Sequence, residues 1–104
     1  MGTYLLTYTG GMQPETEEAG KAVMDAWTAW FGSLGGAVAD PGNPMGPSAT
    51  VASDGSSSPG GASGITGYSL LRADSLDAAI ALAQSCPHLA AGGAVEVYET
   101  FEVM

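Results

Sequence analysis

Between Pro14 and the pair Gly35-Gly36, apolar residues recur at Val23, Ala26, Trp27, Trp30, Phe31 and Leu34. That three- and four-residue spacing predicts an amphipathic helix with one wide apolar stripe. Pro14 reads as its first residue, with Glu15, Glu17 and Glu18 at the positive end of the helix dipole. The glycine pair stops it. A stripe holding two tryptophans and a phenylalanine must be buried against another element. The rest of the chain supplies strands for that purpose.

"TYLLTYT" (Thr3 to Thr9) is rich in β-branched and aromatic residues and ends at Gly10-Gly11, so it reads as a strand. "AVAD" after the helix is a short second strand, and it runs into "DPGNPMGP" (Asp40 to Pro47). "SATVAS" resumes an extended course and stops at the turn signal Asp54-Gly55. "SSSPGGASG" reads as a flexible, low-complexity loop. "ITGYSLLRA" (Ile65 to Ala73) is a strand, and Ser75 caps a second helix expected to run through Cys86 and stop at Pro87. "AVEVYETFEV" (Ala94 to Val103) alternates cleanly and forms the last strand. The order β-α-β-β-α-β predicts a single α+β domain over residues 1–104. It is the ferredoxin-like arrangement: a four-stranded antiparallel sheet with two helices on one face. The other sheet face also carries apolar and aromatic residues, and leaving them wet costs about 25 cal/mol per Å². A second copy packed sheet on sheet is the simplest cover, so the reading includes a homodimer.

Charge narrows the partners. The chain holds 11 acidic residues against Lys21 and Arg72 alone, a net of −9. Phosphate backbones need clustered Lys and Arg, so nucleic acid is not an expected partner, and an anionic membrane surface is disfavoured for the same reason. A single cysteine, Cys86, excludes an internal disulfide and a multi-thiolate metal site. With no apolar run approaching ~20 residues and no secretory signal pattern, a cytoplasmic protein is the expectation. Motifs for nucleotide binding, zinc hydrolysis and serine-hydrolase chemistry are missing, and neither a cofactor nor a metal is expected.

"DAWTAWFGSLGGAVADPGNPMGPSATV", "GYSLLRADSLDAAIALAQSCPHL" and "GGAVEVYE" together resemble the YCII-related proteins. The resemblance implies a ferredoxin-like subunit, a dimeric α+β barrel and a cleft between the sheet and the surrounding loops. For some relatives it implies small-ring elimination or isomerisation with a His–Asp pair as the acid/base element. That pair does not carry over. Its histidine falls within Lys21 to Asp25 and its aspartate near Ser33-Leu34, where neither residue type stands. The "DGPF" signature of another branch is replaced here by "SSSPGGASG" after Asp54-Gly55.

Three residues are the candidate acid/base groups. Glu99 shares strand parity with Val95, Val97, Phe101 and Val103, and a carboxylate on an apolar face suits proton transfer. Equally, it swings to solvent at a strand end or pairs with Arg72. His88 follows Pro87 just past a helix end, where an imidazole either shuttles protons or bonds the last helical carbonyls. Asp40 and Asn43 lie in the proline-stiffened loop. There they either serve the turn through side-chain-to-backbone bonds or are held over a cleft. Asn43 and Tyr68 are the candidates to orient a ligand's polar atoms, and Trp27 the candidate apolar wall, although core packing explains Trp27 equally well. Cys86 reads as an inert packed thiol. Two functions follow from these residues. One is a dimer that binds a small organic molecule and carries out cofactor-free isomerisation, elimination or ring chemistry. The other is a non-catalytic ligand-binding or assembly module.

Overall fold

The computed structural model describes residues 1–103 and is a mixed α+β fold. In chain order the elements are β1 (Gly2–Thr9), α1 (Glu17–Leu34), a 3-10 turn (Gly35–Ala37), β2 (Val38–Asp40), β3 (Ala49–Val51) and β4 (Ser57–Pro59). β5 (Ile65–Ala73), α2 (Leu76–Ala83), α3 (Pro87–Ala90) and β6 (Ala94–Glu99) complete the chain. β2, β5, β1 and β6 form a four-stranded sheet in that order, and β3 pairs only with β4. Every pairing is antiparallel, with Tyr4 opposite Leu71 on one side and Glu99 on the other.

Alternation sorts β1 into two faces. Tyr4, Leu6 and Tyr8 are buried with Leu71 and Ala73 of β5 beneath Trp30 of α1 and Ala79 and Ala83 of α2. The helices thus cover one face. The opposite face carries Leu5, Thr7, Tyr68, Leu70, Arg72, Glu96 and Tyr98 and has no helix on it. α2 is short but well started: the Ser75 hydroxyl accepts the Ala78 N–H at 3.1 Å, and Asp77 sits in the first turn. No helix among the described residues is long and apolar enough to cross a membrane.

Several element boundaries differ from the sequence expectation, each for a local reason. α1 begins at Glu17, not at Pro14, because the Thr16 side chain caps it by accepting the Ala19 N–H at 3.0 Å. The serine-rich loop contains a strand, β4. An Asx bond from the Ser56 N–H to Asp54 Oδ1 (2.9 Å) and Gly55 at φ 89° fold it back onto β3. α2 ends at Ala83, and Pro87 opens α3 as its first residue, so Cys86 caps a helix start instead of closing a helix. β6 stops at Glu99, opposite Tyr4, with Thr3 and Gly2 of β1 still beyond it. The Thr100 N–H and hydroxyl both close on the Thr3 carbonyl, at 3.1 and 2.7 Å, and Phe101 and Val103 lie exposed beyond it.

"DPGNPMGP" is a continuation of the sheet edge. A register irregularity between Val38 and Asp40 turns β2 outward. The chain then returns beside β5, where Pro44 bridges Gly67 and the Met45 N–H reaches the Thr66 carbonyl at 2.9 Å. Proline is tolerated at such an edge because its missing donor faces away from the ladder.

Candidate functional site

α1 is 18 residues long, yet only Trp30 in its C-terminal half is fully buried. Its N-terminal half stands off the sheet, and the space beneath is a cleft of about 1060 Å³. Tyr8, the Gly10-Gly11 turn, Ala26, Trp27 and Phe31 of α1, the Pro41–Pro44 segment and His88 surround it. Val23 and Ala26, which the periodicity assigns to a core stripe, face this opening and are exposed. A second, apolar hollow of about 290 Å³ lies between α2 and β6, lined by Ile80, Ala83, Val95 and Val97. It holds no titratable side chain and offers no chemistry.

Aromatic rings build the cleft wall. Trp27 meets Tyr8 edge-on at 5.1 Å between centroids and lies 5.7 Å from Phe31, while His88 is 5.5 Å from Tyr8 and 6.5 Å from Trp27. The His88 ring is held in place. Its Nε2 lies 2.8 Å from the Thr9 carbonyl, an acceptor only, so Nε2 carries the proton and Nδ1 of the neutral ring is an acceptor. Gly11 and Gly93 leave the room it occupies: a Cβ at Gly11 would come within 2.8 Å of the ring, and one at Gly93 would overlap it. No buried side-chain nitrogen or oxygen among the described residues lacks a partner. Nδ1 makes none of the hydrogen bonds and is therefore not fully buried, and His88 borders the cleft.

The Tyr8 hydroxyl donates to Ser69 Oγ at 2.7 Å, and Ser69 in turn donates to the Pro41 carbonyl at 2.7 Å. This relay ties the core to the edge segment. Burial pushes the Tyr8 phenol up to about 12, against the opposing effect of the Ser69 bond. Burial also raises the Cys86 thiol, against smaller opposing bonds from the His88 backbone and Tyr8. Neither is a proton donor or nucleophile near neutral pH. The Tyr8 shift has a consequence for stability. The fold favours the neutral phenol, so its contribution is intact below the unfolded value of 10 and is lost as pH rises toward about 12. Denaturation midpoints measured from about pH 9 upward should therefore fall more steeply for the wild type than for Tyr8→Phe.

The six residues singled out from sequence do not converge. Trp27, Asn43 and His88 border the cleft. His88 bonds the end of β1, however, and not the last carbonyls of a helix. Tyr68 also borders it, but alternation sends its ring to the sheet face opposite Ser69 and Leu71. Asp40 lies outside the cleft, with its Oδ1 accepting the Gly42 N–H at 2.8 Å, an Asx turn that steers the edge segment. Glu99 sits at the far end of β6, exposed, where it accepts a long 3.4 Å bond from the Tyr4 hydroxyl. Burial first, then the Glu99 carboxylate, raises Tyr4. Arg72 does not pair with Glu99; its guanidinium donates to the Gly36 and Val38 carbonyls, at 3.2 Å each.

Tyr8 and the two glycines around His88 are site residues outside the six singled out from sequence. The parity of β1 already puts Tyr8 on the helix-covered face, and a Gly-Gly turn at its end marks a close approach. Among the described residues, no three His, Cys, Asp or Glu side chains gather as a metal site. Comparison of the chain with models of known protein families, with curated proteins and with solved structures finds no match.

Proposed function

We propose that this protein is a ferredoxin-like, YCII-related homodimer whose cleft binds a small, planar, uncharged aromatic molecule carrying one hydrogen-bond donor. The observation that carries the reading is the cleft wall of Trp27, Tyr8 and Phe31, bordered by His88, whose Nδ1 is left without a hydrogen bond. Stacked and edge-on rings favour a flat apolar ligand. No Lys or Arg lines the cleft, and the chain carries net −9, which disfavours anions. A phenol, indole or arylamine offers the donor that Nδ1 lacks. Counting only the sheet strands, β1-α1-β2-β5-α2-β6 with order β2-β5-β1-β6 supports the ferredoxin-like reading, the β3–β4 hairpin being taken as an insertion. A cytoplasmic setting belongs to the same proposal.

Binding is favoured over catalysis because the acid/base candidates are dispersed. Asp40 is occupied by its own turn, Glu99 lies at the other end of the sheet, and Tyr8 and Cys86 hold their protons. The second reading is cofactor-free proton transfer by His88 alone, and its anchored ring supports it. Calorimetric titration with 1-naphthol and with naphthalene tests the first. The wild type should bind both saturably, with 1-naphthol about five- to tenfold tighter, the worth of one hydrogen bond. His88→Phe keeps the aromatic wall and should bring the two affinities together. Saturable binding of neither compound contradicts the proposal.

A further inference from the structure

Residues 43–64 are exposed without a break, a run that includes both strands of the β3–β4 hairpin. The hairpin is nonetheless well formed. The Gly60 N–H reaches the Ser48 carbonyl at 2.8 Å, the Thr50 hydroxyl the Gly60 carbonyl at 2.6 Å, and the Ala52 N–H the Ser56 carbonyl at 2.7 Å. Asp54 locks the tip, and hydrogen bonds from Ser56 hold its carboxyl below the usual range. Its hydrogen bonds are internal; no hydrophobic cluster reaches it. It projects as an arm, and the radius of gyration is 15.2 Å where a compact chain of this length has about 13 Å. A lone two-stranded hairpin is marginal in water, so an arm built this carefully needs a surface to lie on.

Charge indicates which surface. Two copies of a chain with net −9 repel each other except through surfaces that lack net charge. From Pro41 to Gly64 the only charged residue is Asp54, and the helix-free sheet face carries few charges, Arg72 and Glu96 with Asp40 opposite Leu70 at its β2 edge. The acidic residues of α1 and α2 lie on the other side of the sheet. Area gives the second argument. Four strands about 4.8 Å apart, at about 3.3 Å per residue, present roughly 400–600 Å² per copy, whereas a stable dimer buries about 800 Å² on each partner. Sheet on sheet falls short by itself.

We propose that the β3–β4 arm completes the dimer, each copy laying its hairpin, with Val51 exposed on it, across the second copy of this chain. This rests on the dimer reading and goes beyond it by making the interface depend on residues outside the sheet. Two variants test it by sedimentation equilibrium. In the first, residues 47–63 are replaced by the two-residue turn Asn-Gly. In the second, Val51→Asp leaves the arm intact and alters a side chain that is 68% exposed within the subunit. Both should weaken dimerisation at least tenfold while leaving the far-ultraviolet dichroism of the sheet and helices in place. A wild type that is dimeric with both variants equally dimeric overturns the arm's role and leaves the sheet-on-sheet dimer standing. A wild type that is monomeric at micromolar concentration overturns both.

Discussion

Trp30→Ala should abolish cooperative folding or leave it barely measurable. Trp30 is the one fully buried residue of α1, 5% exposed, and it packs with Leu6, Tyr8, Leu71, Ala83 and Cys86. Its ring lies 5.7 Å from Trp27 and 5.0 Å from Phe31, and its indole N–H donates to the Ser85 hydroxyl at 3.0 Å. Truncating a buried tryptophan costs about 3–5 kcal/mol through lost transfer energy and the cavity left behind. Domains of this size are stable by only about 5–15 kcal/mol. The loss falls heavily here because α1 has no other fully buried residue: Trp27, Phe31 and Leu34 pack against the core only in part, and Val23 and Met24 in its other half are exposed. Urea denaturation followed by dichroism checks it. Trp30→Phe, which keeps most of the apolar contact and loses the bond to Ser85, should fall between the two. A midpoint for Trp30→Ala close to that of the wild type would show that α1 is held by something other than this contact.

Gly42→Ala is the second large effect, and its cause is the backbone. Gly42 has φ 76°, a left-handed conformation that L side chains rarely adopt. A Cβ there would also overlap the Tyr68 carbonyl of β5. Conformational strain costs roughly 1–3 kcal/mol and an overpacked contact about as much again, so a loss of around 2–5 kcal/mol is expected. The damage is directional. The Pro41–Met45 segment must lift from β5, breaking the Met45–Thr66 and Tyr68–Asn43 backbone bonds and taking the Pro41 carbonyl from Ser69. One wall of the cleft goes with it, so 1-naphthol binding should be lost even at temperatures where Gly42→Ala remains folded. Gly46→Ala, in the same segment with open space around its Cβ position, is the control and should match the wild type.

Much of this fold is legible in the chain because its strongest signals are local. The β1 composition, the Ser75 cap and the Val95–Val97 alternation each depend only on neighbouring residues. β4 is not legible in that way, because a strand of Ser57, Ser58 and Pro59 exists only through its pairing with β3. Periodicity places Val23 and Ala26 on the inner face of α1 correctly but is silent on depth, and depth separates a core from a cleft. The acid/base candidates show the same limit. The parity of Glu99 is right, since it lies beside Tyr4 on the face of Val95 and Val97, but it is the last residue of an edge strand and is left exposed where Tyr4 is covered by α2. Asp40 is turned by an irregularity in β2 that no residue pattern announces. His88 is placed by Gly11 and Gly93, each distant from it in kind and one of them far away in sequence.

The cleft itself is the central claim, and the two tryptophans allow it to be tested in place. Trp27 lines it, whereas Trp30 is buried beneath α1. Titrating 1-naphthol into the wild type, Trp27→Phe and Trp30→Phe while following tryptophan emission measures where the ligand sits. Saturable quenching in the wild type and in Trp30→Phe, with clearly weaker quenching of the Trp27→Phe emission across the same range, is the expected result, since the two rings are 5.7 Å apart and only Trp27 touches the cleft. Equal quenching in both single-tryptophan variants, or none in the wild type, would contradict a binding site against Trp27.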